Sequence, residues 1–169
     1  MTGKLILPPY YTSVRGPLIF LGGPVQGTYD WQADAIEIIQ KKTPEIHIAS
    51  PRRMRIGDDF NYEDQVRWEG LYMEYGRVNG VNLFWLAKEL YPIPGRAFAQ
   101  TSRQEIAEQR AKHEQGEKNL VVGIEQGFSG SRYTKLKLEQ DCPDVPIFST
   151  LEETVEKAIE YALEKLRFS

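Results

Sequence analysis

Five short, mainly apolar runs recur along the chain, and a longer stretch of mixed polar and apolar residues separates each run from the next. Apolar runs of this kind, with glycine at several of their ends, are typical of strands buried on both faces of a sheet. They predict strands over 18–23, 45–50, 81–87, 119–125 and 145–150.

The stretches between these runs carry apolar residues at helical spacing, which predicts amphipathic helices. The predicted helices cover 31–42, 62–78, 102–116 and 151–168, with a further helical segment from residue 131 onward. Asp30 is a candidate N-cap of the first helix, because its carboxylate can accept a hydrogen bond from the free N–H groups of the first turn. The candidate core positions of the second helix are Val66, Leu71, Met73 and Val78.

Strand and helix patterns alternate through the whole chain, which favours an α/β fold in which helices cover both faces of a parallel sheet. Five strands predict a flavodoxin-like order, 2-1-3-4-5. We expect a single domain over 1–169, in which residues 1–17, rich in proline and tyrosine, form an irregular N-terminal arm.

Composition adds few constraints beyond this. Of the 169 residues, 41% are hydrophobic and 27% are charged, as in an ordinary globular domain. The net charge of −3 gives no global electrostatic reason to bind a nucleic acid polymer. The segment PRRMR at 51–55 is a local basic cluster, which suits a solvated loop but could also meet an anionic substrate.

Cysteine and histidine are scarce. The one cysteine, Cys142, allows no intrachain disulfide, and the two histidines have no metal-ligand spacing, so we expect no metal and no cofactor. No apolar run approaches the ~18 residues of a membrane span, and the N-terminal residues lack the apolar core of a signal peptide. We therefore expect a cytoplasmic protein that does not bind membranes.

The segment AQTSRQEIAEQRA at 99–111 places Glu105 in the first turn of a helix that follows a buried strand. Ligands of open parallel sheets bind beyond the carboxyl ends of the strands, where Glu105 would lie beside the hydroxyls of Thr101 and Ser102. A carboxylate there can act as a nucleophile or a base. Ser102 and Glu105 also have the spacing of a capping box, which is the purely structural interpretation.

The loop LGGPVQGTYDW at 21–31 joins the first predicted strand to the first helix. Its small residues would let a ligand approach the backbone and the helix N-terminus, with Gly23, Pro24, Gly27 and Asp30 as candidate contacts. Pro24 breaks the dinucleotide-binding glycine pattern, and no phosphate-binding Gly-Lys-Ser/Thr ending follows. A tight strand-to-helix turn explains the same residues.

The segment FNYEDQVRWEG at 60–70 brings aromatic, amide and acidic side chains together. At helical spacing four of them share a face that could stack on a nucleobase and hydrogen-bond to it. Those four are Gln65, Trp68, Glu69 and Tyr72. The alternative is an ordinary amphipathic helix with Trp68 in the core and its charges solvated.

A third candidate loop is GIEQGFSGSRY at 123–133, which follows a strand and contains three glycines. Ser129, Ser131 and Arg132 could contact a hydroxyl or a phosphate of a substrate. A surface turn explains the same composition.

Taken together, five segments resemble the nucleoside 2-deoxyribosyltransferase-like family. They are IFLGGPVQGTYDWQADA, FNYEDQVRWE, GVNLFWLAKE, AQTSRQEIAE and VVGIEQGFSG, which occur in this order and span residues 18 to 133. The resemblance implies a flavodoxin-like fold and a homo-oligomer that shares active sites between subunits. It also implies transfer of 2-deoxyribose from a nucleoside to a free nucleobase, without a cofactor.

The resemblance assigns the nucleophile to Glu105, which would form a covalent deoxyribosyl intermediate. The acid that acts on the base falls near Tyr72, where relatives carry aspartate, so Glu69 is the preferred substitute and Asp64 the other candidate. An N-glycosidase of the same architecture, which acts on a nucleotide or a nucleoside with water as acceptor, remains an alternative. The GGPVQG loop has no cluster of arginine and serine for a phosphate, which favours the nucleoside. A nucleotide-binding protein without turnover is another, although it would have no need of a carboxylate beneath the sugar.

Overall fold

The computed structural model of the protein describes residues 2–54, 57 and 59–167, and within them the fold is α/β. The strands are β1 (Leu5–Ile6), β2 (Leu18–Gly22), β3 (His47–Ala49), β4 (Val81–Leu86), β5 (Leu120–Ile124) and β6 (Ile147–Phe148). The helices are α1 (Trp31–Lys42), α2 (Tyr62–Asn79), α3 (Gln100–Lys112), α4 (Ser131–Asp141) and α5 (Leu151–Arg167).

The strands form one all-parallel sheet in the order β1-β3-β2-β4-β5-β6. The last five have the predicted flavodoxin-like order, so the predicted fold class is confirmed. The sheet has six strands and not five, because residues 5 and 6 of the arm pair with β3 at the sheet edge. The prediction of an irregular arm was therefore wrong for this segment, which is too short to show a strand pattern.

The central strands β2 and β4 are buried along their whole length, as their continuous apolar runs predict. Helices α1 and α5 pack on one face of the sheet around Trp31, Ile39 and Val155. Helices α2, α3 and α4 pack on the other face, where Trp68, Ile106 and others form the second half of the core.

The core face of α2 differs from the prediction. Met73 is buried, but Val66, Leu71 and Val78 are exposed. The buried side of the helix is formed by Trp68, Tyr72, Met73 and Gly76. The two large aromatic side chains bury more apolar area than Val or Leu would, so they determine which side of the helix faces the sheet.

Helix α3 begins two residues before its predicted start and ends at Lys112, four residues before its predicted end. In the part of the chain that the structure describes, no helix combines the length and apolar character needed to cross a bilayer.

Candidate active site

A cleft of about 640 Å³ lies beyond the carboxyl ends of β2, β3 and β4. The chain runs from β2 to β3 on one side and then to β4 on the other, so the strand order reverses between β2 and β4. Such a reversal is where open parallel sheets bind ligands. The volume is within the range of about 300–1,000 Å³ found for small-molecule sites.

The first turn of α3 forms one wall of the cleft. Its N-cap is Ala99, which has a left-handed backbone (φ 56°) and no capping side chain. Ser102 is therefore the third residue inside the helix and not its cap, so Ser102 and Glu105 do not form a capping box. The structural interpretation of Glu105 was wrong because the helix starts earlier than the Ser-x-x-Glu spacing suggests.

Ser102 and Thr101 line the cleft as predicted. Ser102 is only 4% exposed, so it lies at the base of the first turn of α3 and not on an open surface.

Glu69 on α2 lines the cleft, and its carboxyl group is hydrogen-bonded to that of Glu105 on α3, which is not itself among the lining residues. Burial is the largest cause that raises the pKa of each group. The charge of Glu69 adds to this effect and raises the pKa of Glu105 to about 9. Two carboxyl groups in contact cannot both ionise easily, so the pair keeps a proton at neutral pH.

Gln65 fixes the orientation of Glu69. Its amide donates to Glu69 Oε1 (2.7 Å) and to the Pro51 carbonyl (3.0 Å), and its carbonyl accepts from Arg53 Nε (2.7 Å). The positive charge of Arg53 lowers the pKa of Glu69 and opposes the effect of burial. Glu69 is therefore the hydrogen-bond acceptor of the pair, and the shared proton lies on Glu105.

The loop after β2 closes another side of the cleft, with Pro24 and Gly27 among its lining residues. Gly27 has φ +81°, and its carbonyl accepts hydrogen bonds from Leu90 and Tyr91 of the loop after β4. Gly23 does not line the cleft, but a Cβ there would lie 2.2 Å from the Trp85 carbonyl, so only glycine lets the loop leave β2 this way.

Asp30 is the N-cap of α1, as predicted, and accepts from Ala33 N at 3.1 Å. Its carboxylate also forms an ion pair with Arg52 (2.9 Å), and it does not line the cleft. Asp30 therefore holds the loops in place, and its predicted contact with substrate is not supported by its position.

Trp68 and Tyr72 do not face the cleft. They are 1% and 3% exposed and lie in the core between α2 and the sheet. Trp68 Nε1 donates to the Tyr10 carbonyl (2.8 Å), and Tyr72 Oη accepts from Thr12 N (2.7 Å). Their predicted role in stacking on a base was wrong. Both rings pack in the core, and the polar group of each forms a hydrogen bond with the N-terminal arm.

Two other candidates also lie outside the lining of the cleft. Asp64 is exposed on α2, where it pairs with Arg67 at 3.1 Å. This arrangement leaves Glu69 as the better placed acid. Ser129 accepts from Arg103 (2.7 Å) in the loop before α4, and neither it nor the exposed Arg132 lines the cleft.

Sequence reasoning gave PRRMR only as a basic segment that could meet an anionic substrate, and it did not predict a role for Arg96. Arg52 and Arg53 of the PRRMR segment line it, together with Arg96 of the loop after β4; Arg55 of that segment lies outside the described residues. The position of PRRMR directly after a predicted strand was the available signal. The aromatic lining, which includes Phe60, Tyr62, Tyr91 and Phe98, comes mostly from loops without a pattern of their own.

Among the residues described, no cluster of three or more His, Cys, Asp or Glu side chains could hold a metal ion. Comparison of the chain with protein-family models and with curated proteins found no match.

Proposed function

We propose that the protein is a nucleoside 2-deoxyribosyltransferase, which moves 2-deoxyribose from one nucleobase to another through an ester on Glu105. The observation that supports this most strongly is the Glu69–Glu105 pair, which shares a proton and whose member Glu69 lines a small-molecule cleft at the strand-order reversal. The resemblance of five ordered segments to the deoxyribosyltransferase-like family points the same way.

In the first half-reaction the shared proton moves to Glu69 as the nucleoside binds. A Glu105 oxygen then attacks C1′ of the sugar, and the C1′–N bond breaks. The electron pair of that bond goes to the leaving base, which takes the proton from Glu69. The carboxylate of Glu105 stabilises the positive charge that develops on the sugar ring and then traps it as an ester.

In the second half-reaction a free base attacks C1′ of the ester with a ring nitrogen. Glu69, now ionised, takes the N–H proton of that base, and the C1′–O bond breaks. Glu105 recovers its electron pair, and the proton returns to the pair. The two carboxyl groups thus exchange the roles of acid, nucleophile and base without any net change in protons.

The division of roles follows from what surrounds each group. Gln65 holds the Glu69 carboxyl group in place, and Arg53 lies near it. In this setting Glu69 can give and take a proton while its own side chain stays where it is. Glu105 lies about one helical turn from Thr101 and Ser102, which line the cleft and are the candidates for binding the sugar.

A second candidate is an N-glycosidase of the same architecture. Glu69 could activate water as readily as a base, since both acceptors must lose a proton during attack. A non-catalytic binder is disfavoured, because burying two carboxyl groups in contact costs stability that a binding site does not need.

The test is to incubate the protein with deoxyinosine, with and without excess adenine, and to separate the products by chromatography. Deoxyadenosine that forms only with adenine, with little free deoxyribose, supports the transferase. Free deoxyribose at the same rate with or without adenine supports the hydrolase. The four common deoxynucleosides and their monophosphates serve as further donors, and cleavage of none of them contradicts both candidates.

The resemblance further supports a homo-oligomer with shared active sites and a cytoplasmic enzyme of nucleotide salvage. The oligomeric state and the cytoplasmic salvage role are parts of the proposal. Sedimentation of the purified protein tests the first: a monomer at assay concentration would contradict it.

A further inference from the structure

Arg53 occupies an unusual position in the cleft. Its guanidinium lies 4.9 Å from the centre of the Phe60 ring, and its Nε donates to Gln65. The stacking and the hydrogen bond hold the side chain in one place without neutralising its charge. Among the described residues, none binds Nη1 or Nη2, so this edge of the guanidinium is open to a ligand.

The neighbouring arginine has a different role. Arg52 is bound on several sides: by Asp30, by Gln32 Oε1 (3.1 Å) and by the Val25 carbonyl (3.0 Å). Its charge is neutralised and most of its donors are used. Arg52 thus anchors the segment, and this anchoring presents the next residue, Arg53, to the cleft.

Arg96 adds a second cation from the loop after β4. It donates to the neutral amide oxygen of Gln26, and no carboxylate of the described residues pairs with it. Two negative charges oppose those of Arg53 and Arg96. One belongs to the Glu69–Glu105 pair, and the other is Glu89, which also lines the cleft. These charges balance, so the attraction for a further anionic group comes from the open edge of Arg53 and not from a net positive charge of the cleft.

We propose that the donor is a nucleoside monophosphate whose phosphate pairs with the open edge of the Arg53 guanidinium. The planar edge with two N–H donors matches two phosphate oxygens, which makes arginine better suited than lysine to this contact. Arg96 supplies further positive charge from another loop. The nucleoside part of this ligand rests on the proposed function. The anion site is argued separately, from the geometry of the arginines.

The test measures binding in a Glu105→Gln protein, which cannot form the ester and so keeps each ligand intact. Calorimetric titrations compare deoxynucleoside 5′- and 3′-monophosphates with the matching nucleosides. We expect at least one monophosphate to bind about tenfold or more tightly than its nucleoside. We expect Arg53→Gln to abolish this advantage and to weaken nucleoside binding much less than monophosphate binding, because its hydrogen bond to Gln65 is also lost. Arg53→Lys should restore part of the advantage.

Arg67→Gln is the matched control, because Arg67 is an exposed arginine of α2 that pairs with Asp64 outside the cleft. It should leave both affinities unchanged. Thermal shifts of the protein with Glu105 intact provide the same comparison if the Glu105→Gln protein does not fold. Equal affinity for monophosphates and nucleosides, or an equal loss of both with Arg53→Gln, would overturn the proposal.

These outcomes separate the two proposals. If deoxynucleosides are cleaved and phosphate gives no advantage, the anion site is wrong and the deoxyribosyl chemistry stands. If a monophosphate binds through Arg53 but no glycosidic bond is cleaved, the anion site stands and the chemistry is wrong.

Discussion

A single proton shared between Glu69 and Glu105 connects the structure of the cleft to its proposed chemistry. Burial and mutual repulsion keep one of the two groups protonated at neutral pH, while Gln65 and Arg53 keep the other able to accept. One acid and one base in contact are what breaking an N-glycosidic bond requires.

The shared proton leads to a prediction for the pH dependence of kcat/KM. The measurement uses a donor that does not itself titrate in the pH range studied. With the pKa of Glu105 at about 9, activity should fall above that pH, because the pair then loses its only proton and no acid remains. Activity should also fall at low pH, where the second carboxylate becomes protonated. Since the pKa of Glu69 is raised, that limb lies above 4.5. A flat profile through pH 10 would contradict the shared proton.

The same pair should lower the stability of the folded protein. Unfolded Glu105 ionises near its ordinary pKa of 4.5, whereas folded Glu105 keeps its proton to about pH 9. Between these values the folded state binds more protons, so its stability falls as pH rises. Glu105→Gln removes this loss and should raise the free energy of unfolding by roughly 1–3 kcal/mol at pH 8, and by less at pH 5.

Urea denaturation at the two pH values measures this difference. Glu139→Gln is the control, because Glu139 is an exposed carboxylate of α4 that lies beside Lys135, and it should show no such dependence on pH. A Glu105→Gln protein less stable than wild type at pH 8 would mean that Glu105 is ionised and favourably paired.

At the scale of elements, α2 has two separate functions along its length. Gln65 and Glu69 face the cleft, while Trp68 and Tyr72 face the sheet and hold the N-terminal arm. A helix pattern shows that these four residues lie close together, but it does not show where the cleft ends and the core begins. Only the packing of α2 against the sheet separates the two groups.

Tyr72→Phe tests this division. The change removes the hydroxyl that accepts from Thr12 N (2.7 Å) and donates to the Thr12 carbonyl (3.2 Å), while the ring stays in the core. We expect a loss of about 1–2 kcal/mol in the free energy of unfolding. The KM for nucleoside or nucleotide should stay within twofold of wild type. A large rise in KM without loss of stability would return Tyr72 to the binding site.

The two carboxyl groups illustrate what the sequence could and could not predict about the site. Glu69 and Glu105 were each predicted as candidates, one as acid and one as nucleophile. Their mutual hydrogen bond depends on how α2 and α3 approach each other, and on the start of α3 at Gln100 beyond the left-handed Ala99. Neither condition is encoded in the spacing of residues along one helix.

For the whole molecule, the order of the strands was predictable because alternating apolar strands and amphipathic helices allow few parallel topologies. The order places the ends of β2 and β4 beside each other and so determines where the cleft forms. The edge strand β1 and the arginines of the cleft were not predictable in the same way. They belong to short or irregular segments whose positions depend on tertiary contacts.

The most direct test of the account is to detect the covalent intermediate. The protein is incubated with a deoxynucleoside or its monophosphate in the absence of an acceptor base, quenched in acid, digested and analysed by mass spectrometry. The account predicts one deoxyribosyl group, phosphorylated when the donor is a monophosphate, on the peptide that contains Glu105, and none in Glu105→Gln. Glycosidic cleavage without any such adduct, or an adduct on another residue, would contradict the assignment of Glu105 as the nucleophile.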